Sequence, residues 1–288
     1  MSALRAVAPA KVNLFLHVGP PDLDGYHPLA SLVAFADLGD ELVVAPADRL
    51  SLSVRGPFAG ALEGEADNLV LRALRRLGEV AGVGEPPLAV TLDKRLPVAA
   101  GLGGGSADAG AALRLARDAL GLALDDSALA GVAATIGADG PMCLHARAAW
   151  ATGRGDRLQF EPQLPQLPAL LVNPGVPSPT GAVYRAYDHG QPVAADRPSP
   201  PPAWTADAVT DWLAAQRNDL QEPAVRLQPA IGEALAEVAA LPDVRLARMS
   251  GSGATVFALF GSPATAAAAA AGLARARPDW WIAPATLS

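Results

Sequence analysis

The chain alternates between apolar stretches with strand character and apolar stretches with helix character. "KVNLFLHV" (11–18) and "DELVVAP" (40–46) are branched or apolar runs bounded by turn residues, and both predict strands. "PDLDGYHP" between them holds Asp24-Gly25 and two prolines and predicts a loop. "DNLVLRALRRLGEVAG" (67–82) opens on Asp/Asn and sets Leu71, Leu74 and Leu77 at helical spacing, so it predicts a helix. "PLAVTLDKRLP" (87–97) alternates as a strand does. After it, Ala109, Leu113, Ala116 and Leu120 recur at intervals of four, three and four and predict a helical stripe. "DDSALAGVAATIGA" (125–138) predicts another helix, closed by Gly137. The pattern breaks at the proline-rich "FEPQLPQLP" (160–168). Beyond it, "PALLVNPG" (168–175) predicts a strand and "RPSPPPAW" (197–204) a surface loop. "RLARMSGSGATVFALF" (245–260) reads as strand, glycine turn, strand, and "ATAAAAAAGLARA" (264–276) as a helix. There is no repeat of fixed period. The pattern is that of an α+β protein with two domains, 1–165 and 166–288.

Composition narrows the function classes. Of 288 residues, 51% are apolar and 18% charged, which predicts a large core. The net charge of −7 argues against a nucleic-acid binder, while leaving room for a local basic pocket around a phosphorylated small molecule. The one cysteine, Cys143, rules out an intrachain disulfide and fits a reducing compartment. With no histidine or asparagine paired to it in the sequence, Cys143 reads as a core residue. No apolar run reaches the roughly 18 residues of a membrane span. The apolar N-terminal stretch "AVAPAKVNLFLHVG" has a lysine at its middle and no cleavage site after it, so it does not read as a signal peptide. The expectation is a cytoplasmic protein, monomer or homodimer, with neither nucleic acid nor membrane as a partner.

The densest chemical signal is "PVAAGLGGGSADAGAALRLA" (97–116), with Gly101, Gly103, Gly104 and Gly105 running into an alanine-rich helix. A phosphate needs several backbone N–H groups aimed at it with no side chain in the way. Glycines permit that approach, and a following helix N-terminus adds a favourable dipole. Ser106, at the junction, can cap the helix or offer its hydroxyl to a phosphate or a metal. The known phosphate loops do not match: there is no Gly-Lys pair for a Walker A motif, and G-x-G-x-x-G fails at Ser106 and again at Asp108. Protein-kinase signatures and the hydrolase elbow are absent. The four histidines (His17, His27, His145, His189) are scattered, without zinc spacing. A loop that is merely tight remains the alternative.

These residues carry a resemblance. "PVAAGLGGGSADAGAALRL" resembles the P-x-x-x-G-L-G-x-x-S-A loop of the GHMP small-molecule kinases, and "APAKVNLFLHV" and "SGSGATVFALF" resemble that superfamily's other two motifs, in order. Within it, "PAKVNLFL", "DGYHPLASL", "DNLVLRA", "DKRLPVAAGLGGGSADA", "GADGP" and "RNDLQEPA" are most similar to the branch acting on a cytidine-diphosphate-linked methylerythritol in the non-mevalonate isoprenoid pathway. The resemblance implies the two-domain GHMP fold. Its N-terminal half is like domain 2 of ribosomal protein S5. Its C-terminal half is an antiparallel sheet with helices that contributes to the substrate site. It implies transfer of the ATP γ-phosphoryl group to a hydroxyl. Asp139 would be the general base with Lys11 as its partner. Asn13, Tyr26, His27, Thr180 and Tyr184 would bind the substrate, the aromatics stacking on the base. Asn68, Lys94, Pro97, Gly101, Leu102, Gly103, Gly104, Gly105 and Ser106 would bind ATP. Mg²⁺ would accompany ATP, with no dedicated carboxylate cage in the chain. The chain departs from the family after Asp139, where Gly140-Pro141-Met142-Cys143 replaces the common valine, proline and aromatics. Other GHMP kinases, for homoserine or mevalonate, would not need "DGYH" with an aromatic near 184. A nucleotide-binding protein without catalysis would be expected to lack Lys11 or Asp139.

Overall fold

Long runs buried on both faces dominate the start of the chain, and they form strands of unusual length. The computed structural model describes residues 3–64, 67–190 and 192–288. In chain order the elements are β1 (Leu4–Val18), β2 (Leu29–Pro46), β3 (Ser51–Arg55), α1 (Leu69–Ala81), β4 (Leu88–Asp93), α2 (Gly104–Leu120), α3 (Asp126–Ile136), α4 (Gly140–His145), β5 (Ala149–Gly153) and β6 (Arg157–Phe160). They continue as β7 (Leu167–Asn173), α5 (Thr180–Asp188), α6 (Ala206–Ala214), α7 (Gln221–Leu227), α8 (Pro229–Ala239), β8 (Leu246–Met249), β9 (Val256–Leu259), α9 (Pro263–Ala276) and β10 (Trp281–Leu287).

The chain forms two compact units that alternate along the sequence. One comprises the residues up to Ala10, Leu38–Val98 and Gly103–Ala146; the other comprises Lys11–Asp37, Ala99–Leu102 and Arg147–Ser288. The proline-rich connector at 160–168 suggests two consecutive halves, whereas these units interleave. The reason is that β1 and β2 are long enough for each to serve both.

In the first unit, the second half of β2 pairs antiparallel with β4, and β3 runs parallel to β4. β4 alternates strictly, burying Leu88, Val90 and Leu92. The four helices α1–α4 pack on one another. Capping explains their starts. The Asn68 side chain accepts from the Val70 N–H, and the Asp125 side chain accepts from the Ala128 N–H. The helical spacing read in α1 holds, with Leu74 and Leu77 fully buried. α2 is buried well beyond a single stripe, since Ala107, Asp108, Gly110, Ala111 and Ala112 are buried along with the expected Ala109, Leu113 and Ala116. Small side chains allow this, because α2 packs on α1, α3 and α4.

In the second unit the first half of β2 pairs with β5 and meets the end of β10. From there the order β10–β7–β9–β8 is antiparallel throughout. α8 and α9 cover this sheet, and Ile231, Ala234, Val238, Ala266, Ala270 and Leu273 pack on Leu170, Val172, Val256 and Ala258. Arg248 of β8 is buried and donates to the Leu14, Leu213 and Gln216 carbonyls, so β1 is tied to the end of α6. Burial brings its guanidinium down to about 10. Among the described residues no helix is long and apolar enough to cross a membrane.

Candidate active site

Alternation along β1 puts Lys11 and Asn13 on one face. Both are buried, and the Lys11 ammonium donates to Asn13 Oδ1 at 2.8 Å. Asn13 is fixed from two further sides: its side-chain amide donates to Ser31 Oγ at 2.8 Å, and its backbone N–H donates to Ser250 Oγ at 3.1 Å. Ser250 Oγ in turn donates to the Gly101 carbonyl at 2.9 Å, and the Lys11 N–H donates to the Leu102 carbonyl at 2.8 Å. The start of the glycine loop, the lysine strand and the 250–254 turn are therefore one hydrogen-bonded assembly. Gly101 adopts φ +73°, and a Cβ there would fall on the Ser250 carbonyl and 2.8 Å from the Gly253 carbonyl. This glycine is required by backbone packed on backbone.

The rest of the loop belongs to the first unit. Gly103, at φ +63°, is the residue at which α2 begins, and Gly104, Gly105 and Ser106 make the first turn. Ser106 is therefore inside the helix, and the cap is Gly103. The unpaired N–H groups of such a turn and its dipole suit an anion. Asn68 stands at the head of α1 and is buried; Leu69 beside it lies where a Gly105 Cβ would come within 3.0 Å of Leu69 Cδ1. The Asn68 cap alone is worth about 1 kcal/mol, so this residue has a structural duty as well. Pro97 is buried, and the buried Cys143 thiol lies 3.9 Å from the Gly103 carbonyl, as its core reading requires. Asp139 is half-buried at the start of α4. Gly140 behind it allows α4 to lie on α3, since a Cβ there would fall on the Ala133 backbone. That close approach accounts for glycine at 140. Lys11 lies in the second unit and Asp139 in the first.

Lys94 has partners that the sequence did not reveal. Its ammonium is buried between Asp40 Oδ2 at 2.5 Å and Asp108 Oδ2 at 2.7 Å. Asp40 Oδ1 also accepts the Arg95 and Leu96 backbone N–H groups at 2.6 and 2.8 Å. A Cβ on Gly104 would lie 3.1 Å from Lys94 Nζ, so this glycine makes room for the cluster. One compositional signal could have found it. The chain carries 22 Lys and Arg, yet only Lys11 and Lys94 are lysines, and both are buried. A compact ammonium fits where a planar guanidinium does not.

Burial works to lower the Lys94 ammonium, and the charges of Asp108 and Asp40 outweigh it and hold it above its ordinary value. Burial pushes the Asp108 carboxyl up from 3.8 to about 7, against the pull of Lys94. A folded-state value above the unfolded one means a stabilising contribution that is complete below about pH 4 and lost as pH rises through about 7. Asp108→Asn abolishes that decline. Its stability relative to wild type should therefore increase between pH 4.5 and 7.5, as urea unfolding at each pH would measure. A difference independent of pH would show that Asp108 does not titrate there.

Tyr26, His27 and Tyr184, the residues expected to bind a base, all lie in the second unit. His27 Nε2 lies 2.6 Å from Asp188 Oδ1, and its ring is 4.9 Å from that of Tyr184. Tyr26 is exposed, and the Arg154 guanidinium, itself paired with Asp24, lies 4.1 Å over its ring. Thr180, at the start of α5, is exposed with its hydroxyl 2.9 Å from that of Ser252. Among the described residues no group of three or more His, Cys, Asp or Glu side chains gathers to hold a metal.

Comparison with known proteins places this arrangement. The family described as GHMP kinases N terminal domain matches residues 68–147, and that described as GHMP kinases C terminal matches residues 208–279. These two matches define the class, a small-molecule kinase that uses ATP. A relative from Caulobacter vibrioides, named 4-diphosphocytidyl-2-C-methyl-D-erythritol kinase, is 54% identical over 288 residues, covering 99% of each chain. One of the same name from Dinoroseobacter shibae is 49% identical, covering 99% of this chain and 95% of its own. A crystal structure of 4-(cytidine 5'-diphospho)-2C-methyl-D-erythritol kinase superposes with a TM-score of 0.79 at 37% identity, covering 99% of both chains. The chain belongs to the 4-diphosphocytidyl-2-C-methyl-D-erythritol kinase family. A homoserine kinase from Cytophaga hutchinsonii, with a TM-score of 0.65 at 17% identity and covering 99% of this chain and 96% of its own, shares the fold.

Proposed function

We propose that this protein transfers the γ-phosphoryl group of ATP to the 2-hydroxyl of 4-diphosphocytidyl-2-C-methyl-D-erythritol, a step in the supply of isoprenoid precursors. The observation that carries the reading is similarity of about half the residues over the whole chain to kinases of that name. Phosphoryl transfer asks the protein chiefly for positioning and charge stabilisation. In this reading Asp139 accepts the proton of the acceptor hydroxyl. Lys11 supplies positive charge as that proton leaves, and its bond to Asn13 aims the ammonium. Asn13 and Thr180 hold the acceptor, and Tyr26, His27 and Tyr184 hold the cytosine. A stacked base is worth roughly 1–3 kcal/mol in nucleic-acid proteins. The loop from Gly101 to Ser106, with Asn68, Lys94 and Pro97 around it, holds ATP. The Ser106 hydroxyl would stand beside the Mg²⁺ that accompanies the nucleotide, and that ion would supply neutralisation of phosphate charge. The halves 1–165 and 166–288 carry the nucleotide loop and part of the substrate site respectively. The enzyme works in the cytoplasm as a monomer or homodimer.

The test is ADP release with Mg-ATP and three acceptors: the cytidine-linked methylerythritol, homoserine and mevalonate. Turnover is expected with the first alone. Activity on either of the others, with none on the first, would keep the kinase and discard the cytidine pocket.

A further inference from the structure

We propose that Asp40 and Asp108, bridged by the Lys94 ammonium, are positioning residues that clasp the base of the glycine loop and thereby set the affinity for ATP. The proposal rests on the assignment of the loop to the phosphates made above.

The geometry joins three segments of the first unit. Asp40 Oδ1 takes the N–H groups of Arg95 and Leu96, which fixes the chain just before it enters the loop. Asp40 Oδ2 takes the Lys94 ammonium, and the same ammonium reaches Asp108 Oδ2 on the second turn of α2, just after the loop. The entry of the loop is thus tied to Asp40 directly, and its exit to the same strand residue through one cation. Lys94 and Asp40 are also what the Gly104 backbone rests on: a Cβ there would lie 3.1 Å from Nζ and 3.7 Å from Asp40 Oδ2. The cluster therefore sits directly under the turn whose N–H groups would face phosphate.

Stability alone does not explain such a cluster. A buried ion group seldom outperforms well-packed apolar residues of the same volume, because desolvation consumes the Coulombic gain. Among the described residues Asp108 Oδ1 is left buried with no hydrogen-bond partner. A set of charged hydrogen bonds does provide directional constraint that apolar packing lacks. Constraint is what a glycine-rich loop needs. Four glycines in five positions have large conformational freedom. A displacement of the helix start by about 1 Å is enough to misplace a reacting group. On this account Lys94 acts on ATP through the loop. The burial of its ammonium and its two carboxylate partners fits this indirect action.

The test compares Asp108→Leu and Asp108→Asn with wild type. Measured are the KM for ATP and for the acceptor, kcat, calorimetric Kd for a non-hydrolysable ATP analogue, and Tm. The leucine variant should raise both ATP constants about tenfold and leave the acceptor KM within about twofold. The asparagine variant should fall closer to wild type, a rise of about threefold, because its amide oxygen still accepts from Lys94. A cluster that only stabilises the fold would lower Tm and the active fraction and leave the ATP constants of the folded enzyme unchanged, and that result overturns the proposal. Should the leucine variant not fold, the asparagine variant decides alone, and unchanged ATP constants overturn the proposal. Gly105→Asp separates the two layers of the argument: its Cβ meets only the end of the flexible Leu69 side chain, and its charge repels phosphate. If Gly105→Asp weakens ATP and the Asp108 variants do not, the clasp is wrong and the loop assignment stands. If Gly105→Asp also leaves ATP binding unchanged, the loop assignment falls and the clasp falls with it.

Discussion

Asp139→Asn should lower kcat by about 10²–10⁴, the usual worth of a positioned general base, with both KM values within a few-fold and Tm within about 2 °C of wild type. The loss corresponds to roughly 3–5 kcal/mol of transition-state stabilisation. The fold is expected to survive, because asparagine has the size and shape of aspartate and the Asp139 side chain does not cap α4. Catalysis should not vanish, since most of the work in phosphoryl transfer is positioning. Steady-state ADP release beside a thermal melt makes the test. A folded variant with kcat within about fivefold of wild type would remove Asp139 from the role of base. Substrate binding and the kinase class would then stand, and another group would have to take the proton.

Lys94→Met should be the most destabilising single change at a charged residue in the first unit. It leaves two buried carboxylates facing each other without their cation, and stripping one partner from a buried ion group costs about 3–5 kcal/mol. Against a total stability of about 5–15 kcal/mol, the expected fall in Tm is roughly 10 °C. The loss should shrink at acid pH. Two adjacent carboxylates bring a proton on by raising each other's affinity for it, so the folded variant takes up protons and regains stability as pH falls. Lys94→Met with Asp108→Leu should recover most of the loss, because Asp40 keeps its two backbone donors. Lys94→Arg should not rescue, since a guanidinium has no room beneath Gly104. A Lys94→Met melt within about 2 °C of wild type would mean that the three charges are not desolvated together.

Elements were legible where local chemistry announces them. α1, α3 and α9 each start at a side-chain cap, Asn68, Asp125 and Ser262. β4 shows plain alternation. The first half of β2 was not legible, because residues 30–36 are buried on both faces and therefore lack a period of two. α4 was hidden by Asp139-Gly140-Pro141, a sequence that also spells a turn, and its helix lasts six residues. The site follows the same rule. The glycine loop and Lys11 with Asn13 are readable from short-range spacing. The partners of Lys94 lie 54 and 14 residues away, and the carbonyls that force glycine at 101 belong to residues 250 and 253. No local pattern encodes contacts at that separation.

The pairing of β10 with β2 has a consequence for how the chain comes into being. Leu287 stands opposite Ala36, and Ser288 and Phe35 exchange both backbone hydrogen bonds, at 2.9 and 3.0 Å. A ribosome adding about 5–20 residues per second needs on the order of 10–50 s to get from Phe35 to Ser288. Residues 29–33 can pair with β5 as soon as Ala149–Gly153 has been made, but for all of that time Phe35 and Ala36 have no β10 to pair with. That stretch is a short open strand edge of the kind that recruits other chains. Nascent copies of this protein are thus exposed to aggregation at this edge until β10 emerges, and a holdase that covers residues 34–37 during synthesis would raise the yield of folded enzyme.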